Sequence, residues 1–283
     1  MTLEQLINLA RTRLRDKLLP YLWDDSDLTE FANSAVTEAC ARARLLQTSV
    51  TLPVVAGIET YTIPYTVLKP LGAMFLDHAG ITVNAGTFVV GRWYIVGTPG
   101  TTVYTTVGAA NSTAGTLFRA TGVGSGTGTA TLCNETSLIP IGQTDYFSLR
   151  AFSHQTSGRP MYYIRGDAAN TVLLYPTPNL AGHMILDVAR MPTEGEEMTE
   201  GDSVPVIPAE FHRDLVYWML AEAYLIDNSD TKSSKNSMEN AAKFEAKFGR
   251  RITARGEAMG RKYIVGSNMR NHSFGGDNNS IYH

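Results

Sequence analysis

Apolar residues recur at three- and four-residue steps in four stretches, and this spacing predicts four helices. The clearest is VIPAEFHRDLVYWMLAEAYLID, residues 206–227. Pro208 suits a first turn, where a missing N–H costs nothing, and Glu210 follows where the helix dipole favours an acid. Phe211, Leu215, Trp218, Met219, Leu225 and Ile226 carry the period. Residues 215–221 are apolar nearly all round, which predicts a helix buried on several sides, the central post of a bundle. Residues 2–17 form the first helix. There Thr2 and Gln5 make a capping-box pair, Leu3, Leu6, Ile7, Ala10, Leu14 and Leu18 form the stripe, and Pro20 ends the helix. Asp24 opens a second helix whose face of Leu28, Phe31, Ala32, Ala35, Ala39, Ala43 and Leu46 is mostly small, so an antiparallel hairpin with the first helix is expected. The fourth runs over residues 235–254 with Met238, Ala241, Phe244, Phe248 and Ile252 on one side.

The period shortens at Ser49. Residues 50–53 and 59–64 read as short strands about a turn at Ala56-Gly57, and residues 67–76 as a third. From Ala79 to Ala130 the chain is Gly, Thr, Ala, Val and aromatics with almost no charge. Strands are expected there at 88–90, 92–96, 102–107 and 116–120, separated by glycine turns. The outer sheet resumes at Asp145-Tyr146-Phe147 and continues through 161–165, 171–175 and 183–190. The fold class is therefore α+β: a four-helix bundle core with a β-sheet extension and an inserted small all-β domain. Its parts are a helical hairpin (1–48), a β-rich region (49–77 and 132–205), the inserted β module (78–131), the last bundle helices (206–255) and an extended C-terminal arm (256–283). The arm is too polar and too rich in Gly and Asn to fold alone.

Composition narrows the function. A net charge of −3 and a pI near 6.1 exclude nucleic-acid binding by bulk charge. The apolar residues near the start are interrupted by charges, unlike a secretory signal, and no apolar run is long enough to span a membrane. Cys40 and Cys133 have no metal spacing and read as two buried thiols in a reducing compartment.

Candidate chemistry is thin. The run Gly122–Gly128 lacks the Lys-Ser/Thr and following helix of a phosphate loop, so a tightly turning β loop is the simpler reading. Glu194, Glu196, Glu197, Glu200 and Asp202 could bind calcium or serve a hydrolase, but match no calcium loop and read as a solvated acidic loop. His212-Arg213-Asp214 imitates a kinase catalytic triplet without the rest of that machinery. His212 and Arg213 are better placed as subunit contacts. The other histidines show no ligand spacing, and no cofactor, metal or catalytic residue is expected. Trp93 and Tyr94 could form a sugar platform on the inserted module, as in a carbohydrate-binding virion or tail protein; the plainer role is core filling. Arg11, Arg15, Arg42 and Arg44 could meet DNA phosphates or an acidic partner.

Three stretches resemble the head-to-tail adaptor (connector) proteins of tailed bacteriophages. They are Ala10-Arg11 through Pro20-Tyr21-Leu22-Trp23 to Ala43-Arg44, then Leu173-Leu174-Tyr175-Pro176-Thr177-Pro178, then Ile207-Pro208-Ala209-Glu210-Phe211-His212 with Phe244-Glu245 and Phe248-Gly249. Residues 85–128 are similar to a β repeat of phage structural and tail-associated proteins. The resemblance implies a non-enzymatic protein of the virion neck, assembled in the host cytoplasm as a twelve-fold ring below the portal. Its partners would be copies of itself, the portal protein and a tail or nozzle protein, with DNA passing close by and no membrane. On that reading Asn268, Arg270, Phe274 and Tyr282 of the arm join His212 and Arg213 as interface candidates.

Overall fold

The computed structural model describes residues 1–152, 157–165, 170–226 and 233–251. The chain divides into two compact units, one built from residues 1–43 and those from 194 onward, the other from residues 44–193.

The first unit is helical. Helix α1 (Leu3–Leu14) starts with the expected box: Gln5 N donates to Thr2 Oγ1 and Thr2 N donates to Gln5 Oε1. Arg15 ends it in the left-handed conformation, φ 62°. Helix α2 (Asp25–Ala43) buries Leu28, Ala32, Ala35, Val36, Ala39 and Cys40.

The second unit begins at residue 44 and is made largely of strands. They are β1 (Leu46–Val54), β2 (Thr60–Thr62), β3 (Val67–Asp77), β4 (Thr82–Asn84), β5 (Trp93–Thr98), β6 (Leu117–Arg119), β7 (Thr129–Leu132) and β8 (Asn134–Pro140). Helix α3 (Gln143–Phe152) follows, then β9 (Ser157–Gly158), β10 (Tyr162–Arg165), β11 (Thr171–Tyr175), β12 (Thr177–Pro178) and β13 (Gly182–Arg190). Seven of them form one sheet in the order β1-β13-β3-β8-β10-β11-β2, antiparallel except for the β8–β10 pair. Its core is Val54, Ile63, Val67, Phe75, Leu138, Tyr163, Val172, Leu174, Met184, Leu186 and Val188. A second sheet, β4-β7-β5-β6, is strung between β3 and β8, which pair directly with each other. The chain returns to the helical unit with α4 (Val216–Ala223) and α5 (Ser234–Phe248).

The expected four-helix bundle core is not what the sequence builds. The chain has five α-helices among its described residues, one of them in the strand unit, and its most extensive packing is the seven-stranded sheet. The expected long post over 206–227 is broken. Residues Ala209–Leu215 are a 3-10 helix, and only Val216–Ala223 is α-helical. The apolar period was real, because α4 buries Val216, Met219, Leu220, Ala221 and Ala223 against α1, α2 and α5. However, Pro208 and the His212 ring, bonded back to the Ile207 carbonyl at 2.8 Å, hold the preceding turn in tighter geometry.

The strand expectations fail where pairing is long-range. β1 and β2 exist, yet β1 pairs with β13 and β2 with β11 rather than with each other. Asp145-Tyr146-Phe147 lies in α3, not in a strand, and the sheet resumes earlier, at β8. In the inserted region β5 and β6 match expectation, whereas Tyr104–Val107 is a 3-10 turn and residues 88–90 are not a strand.

Candidate functional site

The basic residues of the helical unit have mostly been used inside it. Arg11 is 5 % exposed. Its guanidinium donates to Asp16 Oδ2 at 2.7 Å, to Asp25 Oδ1 at 2.7 Å and to the Trp23 carbonyl at 2.8 Å, and lies 3.8 Å over the Tyr21 ring. Asp16 in turn accepts from the Leu22 and Trp23 backbone N–H groups. Arg42 is spent in the same way. It pairs with Glu38 at 2.8 Å and lies 4.9 Å over the Trp218 ring. Arg44 is half-buried at φ 54° and engaged in contacts of its own. Of the four candidates for DNA or partner contact, Arg15 alone is exposed.

The Arg11–Asp16 pair holds up a surface the helical pattern concealed. Between α1 and α2 the chain runs Leu18-Leu19-Pro20-Tyr21-Leu22, with Leu18 84 % and Leu19 78 % exposed. A buried ion pair fixes the base of this loop while its leucines face outward. The helical period carries the apolar stripe on to Leu18, but α1 stops at Leu14 with Arg15 in the left-handed conformation, so Leu18 leaves the stripe and faces solvent. Leu225, Ile226, Val204 and Met238 are further exposed apolar residues of this unit.

The interface candidates separate. His212 is 2 % exposed; its Nε2 donates to the Ile207 carbonyl and its Nδ1 accepts from the Met1 amino group at 2.9 Å. Arg213 is exposed at an open depression beside Gln5, Asn8 and Thr12 of α1. Asn268, Arg270, Phe274 and Tyr282 lie outside the described residues.

A polar node unmarked by any motif sits in the same unit. Glu222 Oε1 accepts from Ser34 Oγ at 2.7 Å and from Trp218 Nε1 at 2.8 Å. Burial pushes its carboxyl above the usual carboxylate range, against the lowering effect of those two bonds.

The inserted sheet offers no sugar platform at Trp93 and Tyr94. Tyr94 is 1 % exposed and stacks among Phe88, Tyr104 and Phe118, with ring centroids 5.1–6.0 Å apart. Its hydroxyl accepts from Val89 N. Trp93 is half-buried against Leu76, Cys133 and Ile185. These aromatics fill a core, as edge-to-face and stacked pairs do. The glycine run is a tightly turning loop: Gly126 has φ +108°, and a Cβ there would come within 2.7 Å of Thr102 Oγ1. Glu194, Glu197, Glu200 and Asp202 are exposed, and among the described residues no three metal-capable side chains converge. Cys40 and Cys133 are both buried and unbridged, and burial, with Asp77 and Glu135 near, pushes the Cys133 thiol up to about 12.

Comparison with known proteins supplies what these contacts do not. A family model described as SU10 adaptor protein matches residues 1–266, which spans both units. No curated protein matches. The chain belongs to the SU10 adaptor protein family and is a phage adaptor-type protein, and that membership implies a structural, non-enzymatic role.

Proposed function

We propose, with membership of the SU10 adaptor protein family as the premise, that this chain is the ring-forming adaptor of a phage neck. In this reading copies close head-to-tail beneath the portal, join it to the tail or nozzle, and leave a passage for the genome. Heterologous contacts must close to avoid an open filament, and the resemblance to phage adaptors implies that about twelve copies make the ring. The observation that carries the reading is the family match, which runs through the helical and the strand unit alike.

Two features support it. The loop at residues 18–22 presents leucines to solvent on a base fixed by buried charge, a form suited to burial against another subunit. Arg11 and Arg42 are neutralised within the fold, so a channel wall need not grip phosphates through them. A wall that bound phosphate tightly would oppose sliding of DNA. Among the described residues Arg15 and Arg213 are the exposed cations of the candidate set, and they serve as contacts with neighbours or with passing DNA. The arm at 256–283, through Asn268, Arg270, Phe274 and Tyr282, docks on the portal or on the adjacent subunit. The inserted four-stranded sheet, as a phage-type β repeat, reaches tail components.

Negative-stain imaging of the purified full chain tests the assembly. Closed rings are expected. A chain that stays monomeric at every concentration, with and without portal protein, would defeat the reading.

A further inference from the structure

Two imidazoles meet where the inserted sheet leaves the larger one. His78 follows the last residue of β3, and His183 is the second residue of β13. His78 Nε2 lies 2.8 Å from His183 Nδ1, with ring centroids 4.9 Å apart and the rings tilted by 44°. Both side chains are half-buried.

The surroundings make this the root of the insertion. Asp77, 3 % exposed, is the residue at which the chain departs, and Asn134 is the one at which it returns. Asn134 Nδ2 donates to Asp77 Oδ1 at 2.8 Å, and Ala79 N donates to the same oxygen at 3.1 Å. Gly80 lets the outgoing strand pass so close to the returning one that a Cβ there would lie 1.7 Å from the Leu132 carbonyl oxygen. The pair and the Asp77–Asn134 clasp therefore sit on the same short crossing.

Proton bookkeeping gives the pair a property that neither ring has alone. With both imidazoles neutral, one nitrogen donates its N–H to the lone pair of the other. One added proton preserves the bond, because the imidazolium still donates to the neutral ring. A second proton leaves N–H facing N–H and two cations in contact, so the bond becomes a repulsion.

We propose that the His78–His183 pair is a proton-sensitive latch that pins the root of the inserted sheet to the seven-stranded sheet and opens when both rings are charged. The charged and titratable groups facing it are few. From β3 comes Asp77, whose Oδ2 is 3.2 Å from Arg159. Cys133 lies between β7 and β8, and Glu135 of β8 is paired with Arg92 at 3.2 Å. The residues paired with His183 in register, Leu76 and Pro53, carry no charge.

Burial pushes both imidazoles below their ordinary value; Asp77 partly opposes this at His78, and His78 adds to it at His183. A lowered folded value means that the latch is fully closed above the ordinary histidine range. It weakens as pH falls through that range toward the lower folded values.

Hydrogen exchange on the full chain at about pH 7.5 and about pH 5, corrected for intrinsic rate, tests the latch. Amides at residues 79–82 and 132–135 should exchange at least about tenfold faster on acidification, relative to those of β11. In His183→Asn the amide oxygen takes the place of Nδ1 and accepts from His78 in either protonation state, so this acid response should vanish while the neutral-pH pattern stays native. His78→Gln gives the reciprocal check. An unresponsive wild type, or an acid response that persists in both variants, would overturn the proposal.

Discussion

Arg11 holds two carboxylates of unequal worth. Asp16 is as buried as its partner, with both side chains 6 % exposed, whereas Asp25 is 74 % exposed. Removing the buried partner strands a charge and the backbone N–H groups of Leu22 and Trp23. Asp16→Ala should therefore cost about 3–5 kcal/mol in chemical denaturation. Asp25→Ala, at a solvent-screened pair, should cost under about 1 kcal/mol. Equal losses for the two would show that the network is not organised as described. Glu222 gives a second test at this scale. Its carboxyl is raised, so the protonated form stabilises the fold at low pH and that contribution is lost as pH rises through the raised value. Glu222→Gln keeps an acceptor for Ser34 and Trp218 and cannot ionise. Its melting temperature should gain on the wild type from pH 4 to pH 8; a gap that stays constant would place the cause of the shift elsewhere.

Elements were legible where their signal was local. The Thr2–Gln5 box, the apolar faces of α1 and α2, and the apolar runs of β3, β11 and β13 could be read in a window of a dozen residues. What could not be read is who pairs with whom. β1 finds β13 more than a hundred residues away, and β8 finds β3 across the whole inserted sheet. The helix at 206–227 misled for a related reason: periodicity reports which side is buried, and a 3-10 turn held by His212 buries the same side as an α-helix. Arginine clusters misled too, since one-dimensional crowding of charge cannot tell a solvated face from buried pairs such as Arg11–Asp16 and Arg42–Glu38. The sheet and the loop should respond differently to substitution. Leu186→Ala removes a fully buried side chain from the core of the seven-stranded sheet and should cost about 2–5 kcal/mol. Replacing both Leu18 and Leu19 by Ser should leave the melting temperature of the isolated chain nearly unchanged and reduce the fraction of chain recovered in rings. A large stability loss from the double Ser variant would make the loop part of the fold rather than a contact surface.

At the scale of the whole molecule, two units of different construction are carried by one family match. A buried network fixes an apolar loop on the helical unit, an extended sheet makes up most of the other, and a second sheet joins it through the Asp77–Asn134 crossing and the packing of Trp93, Ile95 and Leu117 on Leu76 and Ile185. None of these contacts is a catalytic constellation, and each presents surface in a fixed place, as an assembly component requires. Native mass measurement of the full chain mixed with its portal protein tests this most directly. The account predicts one discrete complex in which a closed ring of about twelve copies sits on each portal. A mixture in which portal and chain remain separate, with the chain at monomer mass, would contradict it.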